Sequence, residues 1–118
     1  MTTEEFVRSF KAQKDELLEL YFSPASPTVS SPVPQAGTYI RSMGWSPEQS
    51  ATLRKIVDLA LTDAFYSVLL GLDGAGRIGD MEQQGFRVQS EDGSTVCRGD
   101  GLVEAAAYQY FHGDGQVA

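Results

Sequence analysis

Apolar residues in the first 22 positions recur at helical intervals. Phe6, Val7, Phe10, Leu17, Leu18 and Tyr21 fall on one stripe, with mostly polar residues between them. The pattern predicts a helix over 2–22. Thr2 and Glu5 have capping-box spacing, in which each side chain satisfies the other residue's amide. Glu4 with Arg8 and Lys11 with Asp15 stand four apart and add surface ion pairs. The pattern then stops. At about 23–36 the chain holds Pro24, Pro27, Pro32 and Pro34 among serines, which predicts an extended connector. A proline-motif ligand for a partner domain is the alternative reading of that segment.

Periodicity returns with a short helical turn over 37–43, ending at Gly44. A long helix follows. Ser46 is placed as its N-cap, Pro47 at its first position and Gln49 at the capping-box position, with Trp45 ready to staple onto the first turns. Leu53, Ile56, Val57, Ala60, Leu61, Ala64, Val68 and Leu72 trace its main apolar face, and the helix is expected to run to Leu70. Leu59, Phe65, Leu69 and Leu70 extend apolarity almost all round its second half. That predicts a central helix covered on several sides, with Arg54, Lys55, Asp58 and Thr62 on the side facing water.

The period changes to two at Phe86-Arg87-Val88-Gln89-Ser90, and Thr95-Val96-Cys97-Arg98 can return antiparallel. Asp92-Gly93 between them signals a hairpin in which positive φ suits both residues. A last helix opens at Asp100 or Gly101 and runs through Phe111. Leu102, Val103, Ala106, Tyr110 and Phe111 form its packing face and Gly113 its stop. The expected fold is α+β and mainly helical: a long central helix, N- and C-terminal helices, and one small antiparallel β-hairpin. The hairpin is too small to stand alone in water, so it must pack on a helix or pair with another chain.

Composition narrows the classes. At 118 residues and 12.8 kDa the chain has room for one domain, 1–118, with a core of ordinary size. Sixteen acids against nine bases leave a net charge of −7, which argues against nucleic acid as a partner. Cys97 has no second cysteine to pair with, so nothing points to an oxidising compartment. The acidic start, Met1-Thr2-Thr3-Glu4-Glu5, lacks a basic and an apolar region and does not read as a signal peptide. The longest apolar stretch is broken by Asp63, Ser67 and Gly71, too short to span a bilayer. A cytoplasmic protein without a membrane anchor is expected.

The chemistry-bearing motifs mostly fail on context. Gly74-Ala75-Gly76-Arg77-Ile78-Gly79 fits the dinucleotide pattern GxGxxG, with Asp100 beyond it. That motif must join a strand to a helix, and here it follows a helix. Laid on a calcium-binding loop starting at Gly71, the same stretch puts Gly71 and Ala75 where oxygen ligands are needed. The plainer reading of 71–85 is a glycine-rich loop of tight turns. No cofactor and no metal are expected, because one histidine and one cysteine give no zinc set. A thiolate–imidazole pair would need Cys97 and His112 adjacent in space. Cys97 on a strand instead suits a small buried role, and His112 suits the last turn of its helix. Asp63, standing among Leu59, Ala60, Ala64 and Phe65, is expected either to reach the polar edge of its helix or to pair with a cation. Asp63 and His112 together mark a candidate buried polar site.

The stretch Leu61-Thr62-Asp63-Ala64-Phe65-Tyr66, Leu69-Leu70-Gly71-Leu72-Asp73-Gly74, Gln83-Gln84, Phe86-Arg87-Val88, Glu91-Asp92-Gly93, Leu102, Glu104, Tyr108 and Phe111-His112 resembles small bacterial single-domain proteins. Some of these look like immunity proteins paired with secreted toxins. The likeness covers under half the chain and rests on packing and turn motifs. It implies no catalytic residues.

Charge supports the same direction. From Leu72 onward eight acids face three arginines, −5 of the total −7. The expected function is a non-enzymatic protein-binding module, an immunity or antitoxin-type inhibitor of a basic partner such as a toxin. Asp73, Arg77, Asp80, Glu82, Glu91 and Asp92 are its candidate partner-binding residues. The alternatives are a small-molecule-binding or hydrolytic enzyme using the Gly71–Gly85 loop, and a homodimeric structural protein joined through the hairpin edge or a helix face. A third alternative is that the acids serve solubility alone.

Overall fold

The structure, a computed structural model, describes residues 1–23 and 35–113. The Pro/Ser connector lies outside the described residues. Four helices and a two-stranded antiparallel sheet make a mostly helical α+β fold with a long central helix: α1 (Thr3–Phe22), α2 (Gln35–Ser42), α3 (Pro47–Leu72), β1 (Val88–Gln89), β2 (Thr95–Cys97) and α4 (Leu102–His112).

Local sequence sets the helix starts. Thr2 Oγ1 accepts from the Glu5 amide at 3.1 Å, and Glu5 accepts from the Thr2 amide at 3.2 Å. Ser46 and Gln49 repeat this reciprocal cap at the head of α3, with Pro47 at its first position. The helix α2 begins before the expected turn and packs on α1 through Gly37. A Cβ there would stand 3.1 Å from Tyr21 Cα, so glycine lets two backbones meet. Arg41 donates to the Leu20 carbonyl across the same contact.

The core gathers where α1, the second half of α3, β2 and α4 converge. Val7, Leu69, Cys97, Val103, Ala107 and Phe111 are fully buried there. Phe6, Phe10, Phe65 and Phe111 continue it as a chain of rings, with centroids 5.1, 6.1 and 6.5 Å apart in turn. Tyr110 donates to Glu4 at 2.8 Å and ties α4 to the start of α1. Val103 and Phe111 are buried on the packing face as expected, Ala107 between them joins it, and Leu102, also expected there, is exposed.

Three further expectations need correction. The long helix runs on to Leu72 rather than stopping at Leu70. It is not covered on several sides, because only Thr62, Leu69 and Gly71 are buried along it. The helix outruns its neighbours: 26 residues span about 39 Å, whereas the 11 residues of α4 span about 17 Å and reach only its second half. In the hairpin, Asp92 does not take positive φ; only Gly93 does, at +91°. Asp92 works through its side chain, accepting from the Ser94 amide at 2.8 Å and from both neighbouring serine hydroxyls. The Ser90 amide reaches Ser94 O at 2.9 Å and the Gly93 amide reaches Ser90 O at 3.0 Å, so the connection is a three-residue loop.

The glycine-rich loop is a packing device. After α3 the chain turns at Gly74 (φ +80°), and the Phe86 amide returns to the Leu72 carbonyl at 2.8 Å. Gly85 and Gly99 then cross so closely that a Cβ on Gly85 would lie 3.1 Å from Gly99 Cα.

Candidate functional site

Along the exposed side of α3, Thr52, Ile56, Leu59 and Asp63 follow one another at alternating spacings of four and three. Ile56 and Leu59 are 57% and 56% exposed. Ala60 and Ala64 beside them are exposed too. Neither α1 nor α4 covers this side, since both pack on the buried side of α3. At the head of the helix Trp45 continues the apolar surface. With Ser46, Glu48, Gln49, Thr52, Leu53 and Ile56 it lines a groove of about 570 Å³.

A second groove, about 370 Å³, opens at the other end of this face. Lys11, Lys14, Asp15 and Leu18 of α1, Asp58, Leu59, Thr62 and Asp63 of α3, and Phe111 and His112 of α4 line it. Lys14 is its floor. Only 3% of the residue is exposed. Its Nζ donates to Asp58 Oδ1 at 2.6 Å and Thr62 Oγ1 at 3.1 Å, and lies 3.7 Å from Asp15 Oδ1. Two hydrogen bonds and a second carboxylate nearby are what allow the ammonium to be buried. Lys11 pairs with Asp15 at 2.7 Å. Both lysines are thereby neutralised by their own chain. Thr62, expected to face water, is buried because it serves this pair.

Asp63 is exposed, in line with the expectation that it reaches the polar edge of its helix and against the alternative of a buried polar site with His112. Among the described residues no hydrogen bond or ion pair reaches it, so the carboxylate stands open to solvent at the rim of the groove. His112 is exposed as well. Its ring sits edge-on to Tyr66 with centroids 4.5 Å apart and tilts against Tyr108 at 6.3 Å. Burial, then the charges of Glu104 and Tyr108, hold the Tyr66 phenol above its ordinary pKa, so it stays neutral.

The structure separates the other candidates. Cys97 is fully buried, and its thiol donates to the carbonyls of Phe86 at 3.2 Å and Leu72 at 3.4 Å. Burial pushes its pKa up, which suppresses the thiolate. It does not meet the exposed His112. Asp73, taken from sequence as a surface acid for a partner, is only 5% exposed. It accepts from the Gly101 amide at 3.1 Å and the Glu104 amide at 2.8 Å, capping α4 from 28 residues upstream. Asp92 is exposed but engaged in its own loop, 3.7 Å from the α-amino group of Met1. Its hydrogen bonds from Ser90 and Ser94 hold its carboxyl well below the usual range. Arg77, Asp80, Glu82 and Glu91 are exposed. Among the described residues no group of three His, Cys, Asp or Glu is placed to hold a metal ion. No helix among them is long and apolar enough to cross a membrane.

Sequence reasoning missed Lys14 and its partners. A signal existed: Val7, Lys14 and Leu18 lie on one helical line, so a lysine occupied the apolar stripe. No protein-family model, curated protein or solved structure matches the chain.

Proposed function

We propose that the chain is a non-enzymatic binding module, acting in the cytoplasm on a basic partner protein in the manner of an immunity protein. One observation carries the reading: α3 leaves Ile56 and Leu59 open to solvent and ends that apolar run at Asp63, a carboxylate with no partner of its own among the described residues. Exposed apolar surface rimmed by polar groups is the usual mark of a protein interface. The net charge of −7 favours a basic partner and speeds its approach. Catalysis finds less support. The lysines of the groove are neutralised and the cysteine is capped by carbonyls.

Affinity capture with the whole chain as bait, at low and at high salt, tests this. The expected result is a basic protein that is held at low salt, released at high salt and lost by the bait variant Ile56→Asp. Capture of no basic protein, or of one indifferent to salt, overturns the reading.

A further inference from the structure

Resting on that reading, we infer that α3 docks an amphipathic helix of the basic partner, and that one Arg or Lys on the apolar seam of that helix reaches Asp63. The spacing of Thr52, Ile56, Leu59 and Asp63 is that of a coiled-coil seam, the geometry in which one helix accepts another side by side. Ala60 flanks the seam and lets a second backbone come close. From Trp45 to Asp63 the open face runs about 27 Å, five turns of helix.

Asp63 decides the chemistry of the occupant. Set opposite an apolar residue it would lose water and gain nothing. Opposite an Arg or Lys it gains a charged hydrogen bond, and the methylenes of that side chain can lie over Leu59. The groove beyond Asp63 has room for the head group, about 370 Å³, and its walls carry the carboxylates of Asp58 and Asp15. Lys11 and Lys14 in the same walls offset Asp15 and Asp58, so Asp63 is the carboxylate there without a lysine of its own.

A second copy of the chain fits worse. Two α3 helices paired antiparallel with Leu59 and Asp63 in register set each Asp63 against the other copy's Leu59. Paired about Asp63 itself, they set two carboxylates together; paired about the point between Ile56 and Leu59, they set Ile56 on Leu59 but leave each Asp63 against Thr52 with no cation to meet it. Each copy also brings a net charge of −7.

The test uses the full chain and a displayed library of amphipathic helices, each of about 20 residues or roughly 30 Å, with the seam positions randomised. Enriched helices should carry Arg or Lys at one fixed seam position between apolar ones. They should bind the exposed-site variant Asp63→Asn about tenfold or more weakly, fail to bind Ile56→Asp, and bind the α1 surface variant Glu16→Gln like the parent. Circular dichroism should show all three variants folded, since each site is exposed. Enriched helices without a basic seam residue, helices indifferent to Asp63→Asn, or no enrichment at all would overturn the inference. So would sedimentation showing a dimer that Ile56→Asp dissolves. A basic protein captured as above that is lost by Ile56→Asp but still binds Asp63→Asn would sink this inference and leave the basic-partner reading standing.

Discussion

Replacing Asp73 with alanine removes the cap of α4 without touching α4. The helix starts at Gly101, which has no side chain to offer its own first amides. Asp73 supplies both acceptors, at 3.1 Å to the Gly101 amide and 2.8 Å to the Glu104 amide. Loss of an N-cap costs about 0.5–2 kcal/mol. Hydrogen bonds to a charged group are worth about 1.5–3 kcal/mol each. The two figures describe the same contacts, and the Gly101 end is exposed enough for water to replace part of one. Removing a carboxylate from the C-terminus of α3, where the helix dipole disfavours it, returns a few tenths of a kcal/mol. The expected cost of Asp73→Ala is therefore about 3 kcal/mol. Asp73→Asn keeps one acceptor but turns an NH2 toward the other amide, and should cost about 1–2 kcal/mol. Urea denaturation of the three proteins measures the series, and hydrogen exchange at the Glu104 amide locates it. A cost for Asp73→Ala under about 0.5 kcal/mol, typical of an exposed surface position, would refute the capping argument. So would unchanged protection of the Glu104 amide.

Other expectations follow from the same packing. Lys14→Met should change stability by no more than about 1 kcal/mol, because it removes the buried charge and leaves behind Asp58, which is 42% exposed and can be hydrated. Asp58→Ala should cost roughly 1–3 kcal/mol by stranding the buried ammonium, a figure lowered by the partial exposure of Asp58; the reverse order in denaturation would contradict the ion-pair account. Gly71→Ala places a Cβ 2.2 Å from Ile78 Cγ1 and should cost about 1–3 kcal/mol, with part recovered in the double variant with Ile78→Ala, which removes that carbon; strict additivity would rule the clash out. Asp92 has its folded pKa lowered by the hydrogen bonds from Ser90 and Ser94. Its contribution is therefore present above the ordinary aspartate value of about 3.9 and lost as pH falls below it. Carboxyl NMR should show a titration midpoint below that value, and Asp92→Asn should flatten the acid side of the stability curve; a midpoint at or above about 3.9 would contradict the loop geometry.

The legible parts of the fold share a property: each is decided within a few residues. The caps at Thr2 and Ser46, the proline that opens α3, the glycine of the hairpin loop and the period of each helix are short-range physics. The face of α3 was legible as apolar but not as uncovered. Periodicity reports which residues share a side, and coverage depends on how long the neighbouring helices are and where they cross.

The candidate site shows the same division. Asp63 stood out in sequence because an acid interrupted an apolar helix, yet whether it was paired depended on which cations came near. Tertiary packing sent the nearest lysines to Asp58 and Asp15. Asp73 read as one more loop acid until the end of α3 was brought against the first turn of α4. Residue type, charge and local period are carried by the chain itself and determine the elements, their order and the α+β class. Only the folded arrangement decides which charges neutralise one another and which apolar face is left without a neighbour, because those outcomes depend on groups far apart in sequence and a few ångströms apart in space.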